Sequence, residues 1–283
     1  LREEGQPMSD ILIEKQRHTT IFTLNKPERM NSLSASMLAA LAAGIREFES
    51  DPDQYVAIIT GAGDKAFCAG GDLKEMASNA ADGSRLPLSR NPDIAGIAAC
   101  DKVTIAAVNG LAVAGGLEVA ISCDIRIAAD NAWFGVFEVK HGIMAGVAAN
   151  VLPRLMPIGA VMDLMLSGDR LTAELAHQWG LVQRVVTRDR LLETAIAKAD
   201  MIAQNSQAAV WGTKQVIKSW RNASMAEQQR YYEAVQHRVL LSGDVFEGPR
   251  AFAEKRRPVY RNGWPTPTNV PMEAMRDDKT VTA

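Results

Sequence analysis

The sequence predicts an α/β fold in its first half, built on parallel strands, and a helical region behind it. Three observations predict this. Short β-branched runs recur through the first 130 residues; the order strand, loop, helix repeats several times among them; and beyond about Gly146 the helical period takes over almost completely.

Ile11–Lys15 and Thr20–Leu24 read as two strands around a turn, and Asn25-Lys26-Pro27-Glu28 ends the second. Ser34 is placed as the N-cap of a helix running to about Glu49. Val56–Thr60 is a buried strand, broken by Gly61-Ala62-Gly63-Asp64. Residues 77–93 carry Asn79, Asp82, Gly83, Pro87 and Pro92 and read as a loop. Val103–Val108 is a further strand, Asn109-Gly110 turns the chain, Gly115-Gly116 opens a short helix, and Asp124–Ala128 is a strand again. Helices are expected over 147–156, 158–167, 172–178, 190–205, 207–221, 224–241 and 244–256, interrupted by a strand at Leu181–Val186. Three parts result: a core over 8–200, a helical region over 201–261 and an extended tail over 262–283 with Pro265, Pro267 and Pro271. Residues 1–7 precede Met8 and read as a leader outside the fold; being polar and acidic, they do not resemble a signal peptide.

The composition is that of a globular protein with a sizeable core: 47% hydrophobic and 23% charged over 283 residues. A net charge of −2 argues against a nucleic-acid partner. The one basic run, Lys255-Arg256-Arg257, reads as a solvated helix end. No apolar run approaches the roughly 18 residues of a membrane span. Three cysteines at wide spacing, Cys68, Cys100 and Cys123, suggest neither disulfides nor a zinc knuckle and fit a reducing compartment.

Three segments could carry chemistry. Lys65-Ala66-Phe67-Cys68-Ala69-Gly70-Gly71-Asp72-Leu73 follows a strand, and its small residues would let a ligand approach exposed backbone N–H groups, though a plain strand-to-helix turn looks the same. Asn109–Glu118 runs strand, glycine turn, helix start; a helix N-terminus offers unpaired donors and partial positive charge to a developing oxyanion. Glu118 lies in that first helical turn, where the macrodipole also favours an acid. Glu138 stands in the apolar stretch Phe134–Gly142, and a buried glutamate is paired or functional; Lys140 is the bland partner. His141 is nearby, whereas His18, His177 and His237 form no Ser-His-Asp arrangement. Neither a phosphate loop nor a dinucleotide fingerprint is present. Two backbone donor sites and two carboxyls are what proton transfer beside a carbonyl requires.

These segments, in this order and spacing, resemble the crotonase (enoyl-CoA hydratase/isomerase) superfamily from about Ile11 to Arg257. Lys65–Asp72 resembles its first oxyanion motif. Ala107-Val108-Asn109-Gly110 with Ala114-Gly115-Gly116 resembles the second, Ser122–Ala128 the strand after it, and Phe252-Ala253-Glu254-Lys255-Arg256 the C-terminal helix. The resemblance implies a spiral of repeated ββα units with a helical trimerisation region, in homotrimers or homohexamers. It implies an acyl-CoA thioester substrate, with no cofactor, metal, nucleic acid or membrane, in the cytoplasm or mitochondrial matrix. Ala69 and Gly115 match the oxyanion donors, and Glu118 and Glu138 the paired glutamates of hydratases. Arg29, Gly71, Asp72, Leu73, Phe252 and Lys255 match positions around the CoA moiety. Two segments depart from the pattern. The common Gln-Pro-Glu becomes Val136-Phe137-Glu138, and Ile-Pro-Gly-Ala-Gly-Gly becomes Met144-Ala145-Gly146-Val147-Ala148-Ala149, which retains Gly146 as a substrate contact. The expected activity is hydration of a trans-2-enoyl-CoA. A double-bond isomerase or specialised dehydratase is the alternative within the superfamily, and a non-enzymatic binding or scaffold relative the alternative outside it. Long helices over 207–256, with Trp211, Trp220, Tyr231 and Val239 as exposed apolar residues, are expected to form the oligomer interface.

Overall fold

The computed structural model describes residues 9–72, 93–141, 144–219, 224–261 and 263. Leu73, Trp220, nearly all of the expected 77–93 loop and the expected C-terminal tail beyond Gly263 lie outside them. The chain divides into two compact units, Leu1–Asp200 and Met201–Ala283.

The first unit is built on two sheets. Strands β1 (Ile11–Gln16) and β2 (Thr19–Leu24) form an antiparallel hairpin. Then β3 (Val56–Gly61), β5 (Val103–Val108), β7 (Ile125–Ala129) and β10 (Arg184–Val186) add in parallel, giving the order β1-β2-β3-β5-β7-β10. All six residues of β5 are buried, as a parallel strand covered on both faces requires. A second sheet of three-residue strands runs β4 (Ala66–Cys68), β6 (Leu111–Val113), β8 (Trp133–Gly135), β9 (Arg170–Thr172), with only the last pair antiparallel. Each long strand thus leads into a short one, β3 to β4, β5 to β6 and β7 to β8. Each such pair stacks in parallel on the one before, which is the repeated ββα spiral.

Helix α1 (Ala35–Ser50) buries Met37, Leu41, Gly44, Ile45 and Phe48, the one-face spacing of an amphipathic helix. Ser34 caps it, accepting from the Met37 N–H at 3.3 Å. Phe48 meets Phe22 of β2 edge to face, with ring centroids 6.4 Å apart. Helix α2 (Gly115–Ser122) follows β6 and is buried along its length after Gly115. The helix expected over 147–156 is shorter: α3 is Val147–Val151, and Leu152–Arg154 tightens into a 3-10 turn where Pro153 lacks the amide that would continue the ladder. Helices α4 (Ile158–Ser167) and α5 (Ala173–Gln178) follow, and α6 (Leu191–Ala203) begins in this unit and runs three residues past its end.

The second unit holds α7 (Gln207–Ser219), α8 (Met225–Leu240) and α9 (Asp244–Ala253). Ser224 and Glu227 form a capping box at the start of α8. Two of the expected features change here. Trp211 is buried rather than exposed, while Tyr231 is exposed and Val239 half-buried. The basic run is no free helix end either: Arg256 forks onto Glu247 at 2.6 and 3.0 Å and also reaches Glu254. Glu247 further accepts from Arg250 and from the Val259 N–H, so its carboxyl is held well below the usual carboxylate range, with Arg256 the largest cause.

Candidate active site

Two asparagines shape the first donor segment. Asn31, buried and at φ 53°, donates to the carbonyls of Ala62 at 3.0 Å and Ala66 at 2.9 Å. Asn109, at the end of β5, donates to the carbonyls of Gly61 and Gly63 at 2.9 and 3.1 Å and accepts from the Gly61 N–H at 3.1 Å. Together they satisfy the backbone of the loop between β3 and β4 and so fix where β4 delivers residues 69–72. Asn109, expected from the sequence as a turn residue, is thus also half of a clamp, and Asn31, outside the expected motifs, is the other half.

The amides of residues 69–72 then sort themselves. Ala69 N–H donates to the Met30 carbonyl at 3.0 Å. Gly70 N–H faces the Cys68 sulfur at 3.4 Å. A parallel bridge joins Gly71 to Leu33 through the bonds Leu33 N–H to Gly70 O, 2.7 Å, and Asp72 N–H to Leu33 O, 3.2 Å. In such a bridge the central residue's own amide points the other way. The Gly71 N–H accordingly has no acceptor among the described residues, and the sequence-based assignment of Ala69 as a donor to substrate is corrected: its hydrogen is already committed to Met30.

The second donor segment meets the first backbone to backbone. A β carbon on Gly70, at φ 85°, would stand 3.0 Å from the Gly115 nitrogen and 2.9 Å from the Val113 carbonyl oxygen; one on Gly115 would stand 3.6 Å from the Gly71 nitrogen. On Gly116 it would lie 2.0 Å from the Cys68 carbonyl oxygen, which leaves no room for any other residue type. Ala114 takes φ 51° to start α2, and the Gly115 N–H, at the helix start, has no acceptor among the described residues. Gly71 and Gly115 thus bring two unspent amides to one place. Cys68 beside them is no nucleophile, since burial pushes its thiol up to about 12.

Two carboxyls complete the site. Glu118, buried in the first turn of α2, accepts through Oε1 from the N–H groups of Val147 at 2.8 Å and Ala148 at 3.0 Å, the first turn of α3. Gly146 is the residue that turns the chain into that helix. Glu138 opens the 3-10 turn Glu138–His141 and is half-buried, and its Oε2 is buried with no hydrogen-bond partner among the described residues. Burial raises its pKa above the ordinary carboxylate value and the charge of Glu118 raises it further; its own amide, that of Phe137 and His141 oppose the rise. Lys140, the bland partner, instead lies over the Phe137 ring, 5.2 Å from its centroid.

Among the expected CoA contacts, Arg29 donates to the buried Asp72 at 3.0 Å, so the ion pair fixes an otherwise exposed guanidinium. In the second unit Phe252 is 87% exposed, and Lys255 lies just past the C-cap Glu254 of α9 at φ 54°. Among the described residues no three His, Cys, Asp or Glu side chains are grouped to hold a metal ion, and no helix is long and apolar enough to cross a membrane.

The chain is similar to known proteins over most of its length. The (E)-benzylidenesuccinyl-CoA hydratase of Thauera aromatica is 36% identical over 252 residues, 89% of this chain and 98% of that protein. The carnitinyl-CoA dehydratase of Salmonella arizonae is 38% identical over 245 residues, 85% of this chain and 94% of that protein. The crystal structure of an enoyl-CoA hydratase from Mycobacterium tuberculosis superposes with a TM-score of 0.83 at 35% identity, covering 90% of this chain and all of that one. A family model described as enoyl-CoA hydratase/isomerase matches residues 14–263, nearly the whole fold described above, and the chain therefore belongs to the enoyl-CoA hydratase/isomerase family of the crotonase superfamily.

Proposed function

We propose that this protein catalyses reversible syn addition of water to the double bond of a trans-2-enoyl-CoA, giving a 3-hydroxyacyl-CoA. The observation that carries the reading is the carboxyl pair: Glu118 is fixed by two amides, while burial, with the Glu118 charge behind it, raises the Glu138 carboxyl above the usual carboxylate value and so favours its protonated form. One ready base and one ready acid are what hydration consumes. Glu118 takes a proton from the water whose oxygen bonds to C3, the C2–C3 π electrons move toward the thioester, and Glu138 delivers a proton to C2. As negative charge gathers on the thioester oxygen, the N–H groups of Gly71 and Gly115 receive it. The sequence is a hydration without net change in oxidation state, so it calls for no redox cofactor. Arg29, Asp72, Leu73 and Gly146 of the first unit are proposed to bind the CoA thioester. The relatives' names, hydratase and dehydratase, describe the two directions of one such reaction.

The test is a panel of 2-enoyl-CoA and 3-enoyl-CoA thioesters of graded chain length with the purified protein, following loss of the conjugated-thioester absorbance and identifying products. Saturable conversion of a 2-enoyl-CoA to the 3-hydroxy product is expected. Shift of the 3-enoyl double bond without hydration would replace the hydratase by an isomerase.

A trimer-based assembly is proposed as well. On α4, Ile158, Met162 and Leu166 recur every four residues on one face and are 58, 52 and 71% exposed. Such a stripe suits burial against another copy. Light scattering at micromolar protein is expected to return the mass of a trimer or hexamer, and a monomer mass would end the proposal.

A further inference from the structure

Glu138 has to present its carboxyl at one point, yet it sits on a four-residue 3-10 turn and its Oε2 has no hydrogen-bond partner of its own among the described residues. Packing must hold the turn instead. The two-residue period of β8, continued past its end, sends Trp133, Gly135 and Phe137 toward one face. Gly135 leaves a gap there, and the Phe137 ring fills it: a β carbon on Gly135 would lie 2.8 Å from two ring atoms. Across the antiparallel ladder, Arg170 of β9 stands opposite Gly135. Its guanidinium lies 4.3 Å over the Trp133 ring. The Trp133 and Phe137 rings are 6.0 Å apart, tilted by 39°. The Lys140 ammonium closes the row 5.2 Å from the Phe137 centroid, and its stem lies over Gly168, where a β carbon would meet Lys140 Cε at 2.8 Å. Both cations are within the roughly 6 Å over which ring faces attract them. Two cations therefore flank an aromatic pair, one from the strand and one from the turn that carries Glu138. In the family pattern a proline precedes the acid and restrains the chain through its own ring. This sequence has Phe137 there.

We propose that the row Arg170–Trp133–Phe137–Lys140 braces the turn bearing Glu138, and that Phe137 is a positioning residue for proton delivery to C2. The inference rests on the role proposed above for Glu138.

The test uses the full chain and crotonyl-CoA, or the panel member that the wild type hydrates fastest. Phe137→Ala is expected to lower kcat about 10²-fold, the scale of a displacement near 1 Å at a reacting group. KM is expected to move far less, because ground-state binding of the CoA moiety is untouched. Phe137→Tyr, which keeps the ring, is expected to recover most of the rate. Should Phe137→Ala not fold, the double variant Lys140→Met/Arg170→Met carries the test. It keeps apolar stems in place and removes only the cations, and its kcat is expected to fall while KM holds. Folded Phe137→Ala, or the double variant, with wild-type kcat would overturn the brace, as would a loss confined to KM or a Tyr variant no better than Ala. Glu138→Gln in the same assay separates the two layers. If it retains wild-type turnover, the role of Glu138 falls and the brace with it; if it is inactive while the brace variants turn over normally, only the brace falls.

Discussion

Glu118→Gln and Glu138→Gln, made singly, are each expected to slow hydration by about 10²–10⁴, the scale of a lost general base or acid. Gln keeps the shape and cannot exchange a proton. If both carboxyls serve one coupled event, as proposed, the double variant is expected to be little slower than the poorer single one. The pH dependence distinguishes the roles. Burial first, and the Glu118 charge second, hold Glu138 above the ordinary carboxylate range. Its proton is therefore present below the raised pKa and lost as pH rises through it, and the alkaline limb of kcat reports that loss. Removing the neighbouring charge in Glu118→Gln moves the limb of the residual activity to lower pH. The same linkage acts on stability. The folded state binds this proton more tightly than the unfolded chain, so the contribution is complete below the unfolded carboxyl's pKa and is lost as pH climbs through the folded one. Glu138→Gln stays neutral throughout, so it is expected to melt above the wild type at neutral pH and level with it in acid. Wild-type turnover in either variant, or a limb that does not move, would remove the acid–base assignment.

The parts of this molecule that were legible in the sequence are those written in long periods. The β1–β2 hairpin, β3, β5 and α1 announce themselves because five or six consecutive residues share one environment, or because apolar residues recur at helical spacing. The second sheet is silent by the same rule: three residues of β8 or β9 are too few for alternation to show. Glu138 stood out as an acid in an apolar stretch, and Glu118 as an acid in the first turn of a helix. The amides that fix Glu118 belong to Val147 and Ala148, 29 and 30 residues away, and no local pattern points to them. Asn31 and Asn109 carried a usable signal, a polar residue beside a buried strand, but each also suits a turn, and only their carbonyl partners, 62 and 66 for Asn31 and 61, 63 and 66 for Asn109, show the clamp. The unspent amide of the first donor segment is that of Gly71 rather than the expected Ala69, for a physical reason. Every residue from 69 to 72 has an amide, and which one is left over is decided by Met30, Cys68 and Leu33, which lie outside the motif or act through the fold.

That last point has a direct test in the backbone itself. An amide-to-ester replacement at position 71 removes the Gly71 N–H while adding no side chain. If this amide and that of Gly115 receive the thioester oxygen, kcat is expected to fall about 10²–10³-fold, or about 2.7–4 kcal/mol of lost transition-state stabilisation. An ester at 115 is expected to do the same. At position 69 the ester removes the 3.0 Å bond to Met30 and weakens the Cys68 carbonyl as an acceptor, a loss of about 0.5–1.5 kcal/mol in stability for the bond removed, with kcat close to wild type. Melting temperature alone cannot decide between 69 and 71, because the ester at 71 also weakens the Gly70 carbonyl, which accepts from Leu33 at 2.7 Å. The deciding quantity is kcat, measured on proteins shown by circular dichroism to be folded. A large drop at 69 with none at 71 would return the donor role to Ala69, and would mean that the Met30 bond opens when substrate arrives. A large drop at 71 with none at 69 fixes the oxyanion hole on the two glycines that the loop clamp and the start of α2 bring together.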